Sequence, residues 1–155
     1  MRLWDTYIDV VRKDTRTAEQ RYRDYLEQIW HVNLNDFEWD IRAWDTTTET
    51  GYWMTAHNHG HSQLTSIHYT NVQGMGGDLI IQDPRANANR AWPQELAQQF
   101  QPLVVQPEPG MTVTFPSYCY HLASPFYGTV RAAHVSELQL WSDTQGTDVQ
   151  GATAV

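Results

Sequence analysis

The stretch HNHGHSQLTSIHYT, residues 57–70, carries four of the chain's seven histidines, at positions 57, 59, 61 and 68. It is read as the end of one strand, Tyr52 to His59, and the whole of a second, Leu64 to Thr70. On a strand, positions i and i+2 share a face, so His57 and His59 project together with their rings near a common point. Two imidazoles placed in this way make part of a metal site. His61 joins that face if the strand runs on through Gly60, and swings away if Gly60 breaks it.

A third ligand has to come from elsewhere in the chain. His121 follows the Pro109-Gly110 turn and the strand MTVTF, in the run FPSYCYH. In a barrel, a strand that distant in sequence can lie beside the first. Structural zinc sites are closed by four ligands, usually including thiolates, and this chain has one cysteine, Cys119. Three ligands, His57, His59 and His121, leave coordination positions open, which is the arrangement of a catalytic ion. His31, His68 and His134 are read as structural.

Outward from the histidines the pattern is mostly β. Tyr22, Tyr25, Leu26 and Ile29 recur at spacings of three and four between Thr17 and Trp30, which predicts one amphipathic helix. From Phe37 the apolar period changes to two, with Phe37, Trp39, Ile41 and Ala43 alternating with Glu38, Asp40, Arg42 and Trp44. Further strands are expected over Asp78 to Gln82, Leu103 to Gln106, Met111 to Phe115 and Thr129 to Trp141, with GMGGD, QDPR and QPEPG as turns. Short strands punctuated by Gly and Pro predict a mainly β chain folded as a sandwich or jelly roll, and of the two we expect the jelly roll, a double-stranded β-helix of cupin-like form with the N-terminal helix packed outside it. The insertion between Asp83 and Pro102 includes a short helix, Pro93 to Phe100, and is expected to act as a lid. Asp83 and Arg85 brace a turn. The expected organisation is one domain, residues 1–141, and a flexible polar tail, residues 142–155.

Composition narrows the function. At 155 residues, with seven Trp and eight Tyr, the chain suits one packed core. The formal charge of -8 opposes nucleic-acid binding. The single cysteine fits a reducing cytoplasm, and the absence of an apolar leader or a long apolar run predicts neither export nor a membrane span. Nine of the ten basic residues are arginines; none lies between Ala91 and Val130, and none follows Arg131. Arg131 is therefore an isolated cation.

The order of these motifs, HNHGHSQLTSIHYT, then GGDLIIQDPR, then PEPGMTVTFPSYCYH with Arg131, resembles the 2-oxoglutarate and iron(II)-dependent oxygenases. The resemblance runs from about Phe37 to Trp141 and is strongest to prolyl-hydroxylase-like members from marine bacteria and phages. It implies a dioxygenase that uses Fe(II), with 2-oxoglutarate as cosubstrate, to hydroxylate a small-molecule or peptide substrate. It makes His57 the first iron ligand and His121 the last. Arg131, ten residues beyond His121, matches the arginine that clamps the distal carboxylate of 2-oxoglutarate, and Tyr69 matches a tyrosine that shares it. The chain departs from the family at His59, where most members carry Asp or Glu, and at Ala133, where Ser or Thr often follows the arginine. Two other readings fit the residues. One is a three-histidine cupin metalloenzyme, a thiol dioxygenase or isomerase, whose glutamate would fall near Gln63 and which has no need of Arg131. The other is a non-catalytic metal-binding jelly-roll module with an exposed aromatic platform.

Overall fold

The structure is a computed structural model and describes residues 3–85, 87–88 and 90–142. Among the described residues nine strands form two antiparallel sheets. They are β1 (Asp9–Val11), β2 (Glu38–Thr48), β3 (Met54–His57), β4 (Leu64–Gly76), β5 (Leu79–Ile81), β6 (Leu103–Val105), β7 (Thr112–Pro116), β8 (His121–Ala123) and β9 (Phe126–Trp141). The larger sheet has the order β1-β7-β4-β9-β2 and the smaller β3-β8-β5-β6. The pairing is nested: β2 with β9, β3 with β8, β4 with β7, and β5 with β6. That is the pattern of a long antiparallel ribbon rolled into two layers, a double-stranded β-helix, as the strand spacing predicts. Its consequence for function is direct: β3 lies against β8 although more than sixty positions separate their histidines, and His57 is paired with His121.

Alternation along β9 builds two cores. Odd positions from Arg131 to Glu137 face the interior between the sheets, and even positions face outward. Inside, Tyr69, Ile81, Val113 and Phe115 are fully buried around Leu79 and Ala133. Outside, Leu64 and Leu138 are covered by Tyr22, Tyr25 and Leu26 of the N-terminal helix. That helix, α1 (Ala18–Tyr25), continues as a π turn over Leu26–Trp30 and ends at His31 in the left-handed conformation. Thr17 caps it by accepting from the Gln20 N–H at 3.2 Å. The helix predicted over Thr17 to Trp30 is thus present, on the outer face.

Several predicted elements differ in detail. The strand expected to run from Tyr52 to His59 is only β3, Met54–His57, because beyond His57 the chain leaves β8 and crosses toward the larger sheet. β1 and β8, three residues each, were not foreseen. The insertion holds a 3-10 segment, Gln94–Phe100, behind Pro93, with Trp92 stacked on Phe100 at 5.0 Å. Asp83 and Arg85 brace its entry through three hydrogen bonds of 2.6 to 3.0 Å, as expected. The predicted tail lies, from residue 143 on, outside the described residues. Among the described residues no helix is long and apolar enough to cross a membrane.

Candidate metal centre and anion pocket

His57, His59 and His121 come together: one ligand atom from each lies within 4.8 Å of the others. Ring centroids are 4.3 Å apart for His57 and His121, 5.3 Å for His57 and His59, and 5.2 Å for His59 and His121. His57 and His121 are fixed by one device used twice. Each donates from Nδ1 to the carbonyl two residues earlier, Thr55 O at 2.8 Å and Cys119 O at 3.0 Å. His59 turns its Nδ1 to the carboxylate of Glu137 on β9. With all three Nδ1 atoms engaged, the lone pairs left for an ion are on Nε2, and each ring has the outer partner that metal-bound histidines ordinarily have. His121 is buried, and this desolvation, with His57 and His59 beside it, lowers its pKa to about 4 against the opposing Cys119 hydrogen bond. It is therefore neutral, the form that coordinates, near pH 7.

His59 reaches the cluster by a route other than strand alternation. It sits two residues past β3 and is held there by the backbone: its N–H donates to Ser117 O at 3.0 Å, and Gln63 O accepts from Ser117 N at 2.9 Å. The Ser117 hydroxyl meets those of Ser62 at 2.7 Å and Thr65 at 2.8 Å. The following turn at Gly60 carries His61 away, exposed and outside the cluster. Gln63, the position a cupin would use for its glutamate, is turned outward and accepts from the Leu140 N–H at 2.6 Å. His68 and His134 lie on the outer sheet face, bonded to Thr112 and Asp45 respectively.

The histidines line a cavity of about 430 Å³ together with Arg131, Thr46, Thr48, Tyr52, Trp44 and an apolar wall that includes Ile67, Leu79 and Val135. That volume is in the range of small-ligand sites. Arg131 is the cation among the described residues that line this pocket, and none of those residues is a carboxylate. The guanidinium is held by neutral oxygens: Nε donates to Gly77 O at 3.0 Å, Nη1 to Thr48 Oγ1 at 3.3 Å and Nη2 to Tyr69 OH at 3.4 Å. Its carbon also lies 5.2 Å from the Tyr69 ring centroid. A half-buried arginine whose described partners are all uncharged presents its charge to the cavity.

Tyr69 is wholly buried and does not line the cavity; the structure brings it to Arg131, beneath the guanidinium. Burial raises its pKa, which keeps it a neutral phenol. Four residues have roles here that the sequence reading did not give them. Thr48 is paired with Arg131 across β2 and β9, and Thr46 with Ala133, so hydroxyls arrive from the neighbouring strand where position 133 has none. Gly77, expected only as part of the GMGGD turn, and Glu137, expected at most as a same-face partner of Arg131, complete them. Glu137 shares a strand face with Arg131, but its partner is His59, not Arg131. The insertion expected to act as a lid contributes no described residue to the cavity lining.

The sequence matches the family described as "Putative 2OG-Fe(II) oxygenase" over residues 42–136, more than half of the chain. No curated protein sequence matches it significantly. Among solved structures, similar folds are found in a 2OG-Fe(II) oxygenase-family oxidoreductase from Burkholderia pseudomallei, with TM-score 0.58, 12% identity, and coverage of 79% of this chain and 53% of that one. A prolyl-4-hydroxylase from Pseudomonas putida has TM-score 0.56, 16% identity, and coverage of 84% and 71%. HygX from Streptomyces hygroscopicus, with nickel and 2-oxoglutarate bound, has TM-score 0.52, 13% identity, and coverage of 99% and 93%. The chain thus spans about half the length of the Burkholderia protein.

Proposed function

Because this chain belongs to the 2OG-Fe(II) oxygenase family, we propose that its cavity takes Fe(II) on His57, His59 and His121 and 2-oxoglutarate on Arg131, and that the protein hydroxylates a C–H bond of a small-molecule or peptide substrate. The observation that carries this reading is the pairing, in one cavity, of three convergent imidazoles with an arginine that has no acidic partner among the described residues. Both groups fit the residues present. The imidazoles offer Nε2 donors to a divalent ion, and the guanidinium offers the cation that a desolvated carboxylate requires. A cupin without an anionic cosubstrate would leave Arg131 unexplained.

Bound iron with 2-oxoglutarate supplies the oxygen-activating chemistry, the cosubstrate being decarboxylated to succinate as the substrate is oxidised. The protein's own residues prepare it. Thr55, Cys119 and Glu137 fix the three rings that would hold the ion at the cavity wall. Gly77, Thr48 and Tyr69 hold Arg131 to receive one carboxylate end, and Ile67, Leu79 and Val135 keep water from the walls. Trp44 and Tyr52 are part of the same lining and offer apolar contact to substrate. The domain carrying this site is residues 1–141, and its single buried thiol, Cys119, suits a cytoplasmic setting.

The test is succinate formation from 2-oxoglutarate with Fe(II) and O2, measured by mass spectrometry, alongside calorimetric binding of 2-oxoglutarate to the metal-loaded protein without oxygen. Arg131→Gln should retain stoichiometric metal while 2-oxoglutarate binding weakens by about 3 kcal/mol, over a hundredfold. Arg131→Lys should recover part of that loss, since a point charge lacks the two-pronged contact. Unchanged 2-oxoglutarate affinity in Arg131→Gln would overturn the assignment.

A further inference from the structure

Glu137 lies next on the β9 face after Arg131, Ala133 and Val135, all three of which line the cavity. Its side chain is only 12% exposed. Arg42, its register partner on β2, is exposed and makes no ion pair with it among the described residues. The partner that the described residues give this carboxylate is the His59 imidazole, a group with no charge of its own in the form that binds metal. A carboxylate withdrawn from water beside a neutral ring is unfavourable, and it becomes favourable when the far side of the ring carries a cation. The far side here is His59 Nε2, which faces the ion position among the three histidines.

The ligand set has the complementary defect. Three imidazoles bring a divalent ion no negative charge, whereas Glu137 holds one a single ring away from it. We propose that Glu137 is a positioning residue for His59 and supplies to the metal centre, through that ring, the negative charge that the three-histidine ligand set lacks. This rests on the assignment of His57, His59 and His121 as metal ligands. Position matters as well as charge: His59 lies outside β3, so no strand pairing orients its side chain, and Glu137 on the long strand β9 supplies that orientation. A carboxylate that holds a metal-bound histidine in this way typically accounts for roughly ten- to hundredfold in metal affinity.

The experiment titrates purified protein with Ni(II) by calorimetry, with no 2-oxoglutarate or substrate present, and melts the metal-free protein in parallel. Glu137→Gln keeps an oxygen that can accept from Nδ1 but removes the charge. It should weaken Ni(II) roughly ten- to hundredfold, more than any change in the metal-free melting temperature accounts for. Glu137→Ala should lose at least as much affinity. Combining Glu137→Gln with His59→Asp should restore binding toward the wild-type value, because the charge then sits on the ligand itself. His59→Asp alone should bind less tightly than that double variant, since two carboxylates would face each other. Wild-type Ni(II) affinity in Glu137→Gln would overturn the proposal. So would a metal-free melting temperature that falls in step with affinity, or a double variant no better than Glu137→Gln. If the Ni(II) pattern holds but no succinate forms under any condition, the oxygenase assignment fails and the role of Glu137 stands.

Discussion

A methyl group at position 77 would lie 2.7 Å from Arg131 Cδ and 2.8 Å from its Nε, closer than such atoms approach. Gly77 also has φ +63°, a left-handed conformation that costs other residues roughly 1–2 kcal/mol. The glycine therefore does two things: it turns the chain between β4 and β5, and it lets the guanidinium lie against its own carbonyl. Gly77→Ala should push Arg131 off Gly77 O and weaken 2-oxoglutarate binding by about tenfold, the loss of roughly one charged hydrogen bond. Ni(II) affinity should stay unchanged, because the atoms nearest residue 77 belong to Arg131 and Phe126 and not to His57, His59 or His121. Calorimetry with each ligand separately checks this, and an unchanged 2-oxoglutarate affinity would show that Arg131 does not need the space.

The helix α1 and strand β9 meet through more than apolar contact. Tyr22 is fully buried, and its hydroxyl lies 2.9 Å from that of Ser136, which is buried as well. The bond pins α1 to an outward-facing position of the same strand whose inward positions carry Arg131 and Glu137. Tyr22→Phe should strand the Ser136 hydroxyl and cost about 1–3 kcal/mol, seen as a fall of several degrees in the melting temperature. Metal and 2-oxoglutarate affinities should be preserved in the folded variant. Pairing Tyr22→Phe with Ser136→Ala should recover much of the stability, since no buried hydroxyl is then left without a partner.

Across the whole molecule, Asp14 ties the N-terminal arm to the larger sheet. Its N–H donates to Gly110 O at 2.7 Å, and its carboxylate accepts from Arg16 at 2.9 Å, while Arg16 also reaches Asp24 on α1 at 2.8 Å. Burial alone pushes the Asp14 carboxyl up. Hydrogen bonds from the Arg16 side chain and backbone and from Thr112 more than offset it and hold the pKa at about 2, below the ordinary 3.8. Because the folded value is the lower one, this tie stabilises the fold fully above about pH 4 and is lost as pH falls toward 2. Melting temperatures measured from pH 5 to pH 2 should decline over that window. The decline should be shallower in Asp14→Asn, and identical slopes in the two proteins would remove Asp14 from the account.

Alternation and turn residues in the sequence determined that the chain is a double-stranded β-helix with an outer helix, because a period of two and a period of 3.6 are local properties that any fold must respect. The same local logic singled out His57, His59 and His121 as residue types that hold metal, and Arg131 as a cation without neighbours. Tertiary structure decided how they meet. His59 joins the others through Ser117 and the crossing between sheets, not through the strand alternation that first suggested it, since β3 ends at His57. Thr48, Gly77 and Glu137 gained their roles only when β2, the β4–β5 turn and β9 were brought against Arg131 and His59. Nothing local distinguishes Thr48 or Glu137, and the turn motif that marks Gly77 does not point to Arg131, because a partner reached across dozens of positions leaves no period and no motif in the chain that holds it. The Asp83 to Pro102 insertion makes the converse point: its length suggested a lid, but the register of β5 and β6 sets it where no described residue lines the cavity. Spacing along a strand fixes which face a side chain takes, and only the nested pairing of strands fixes what stands opposite it.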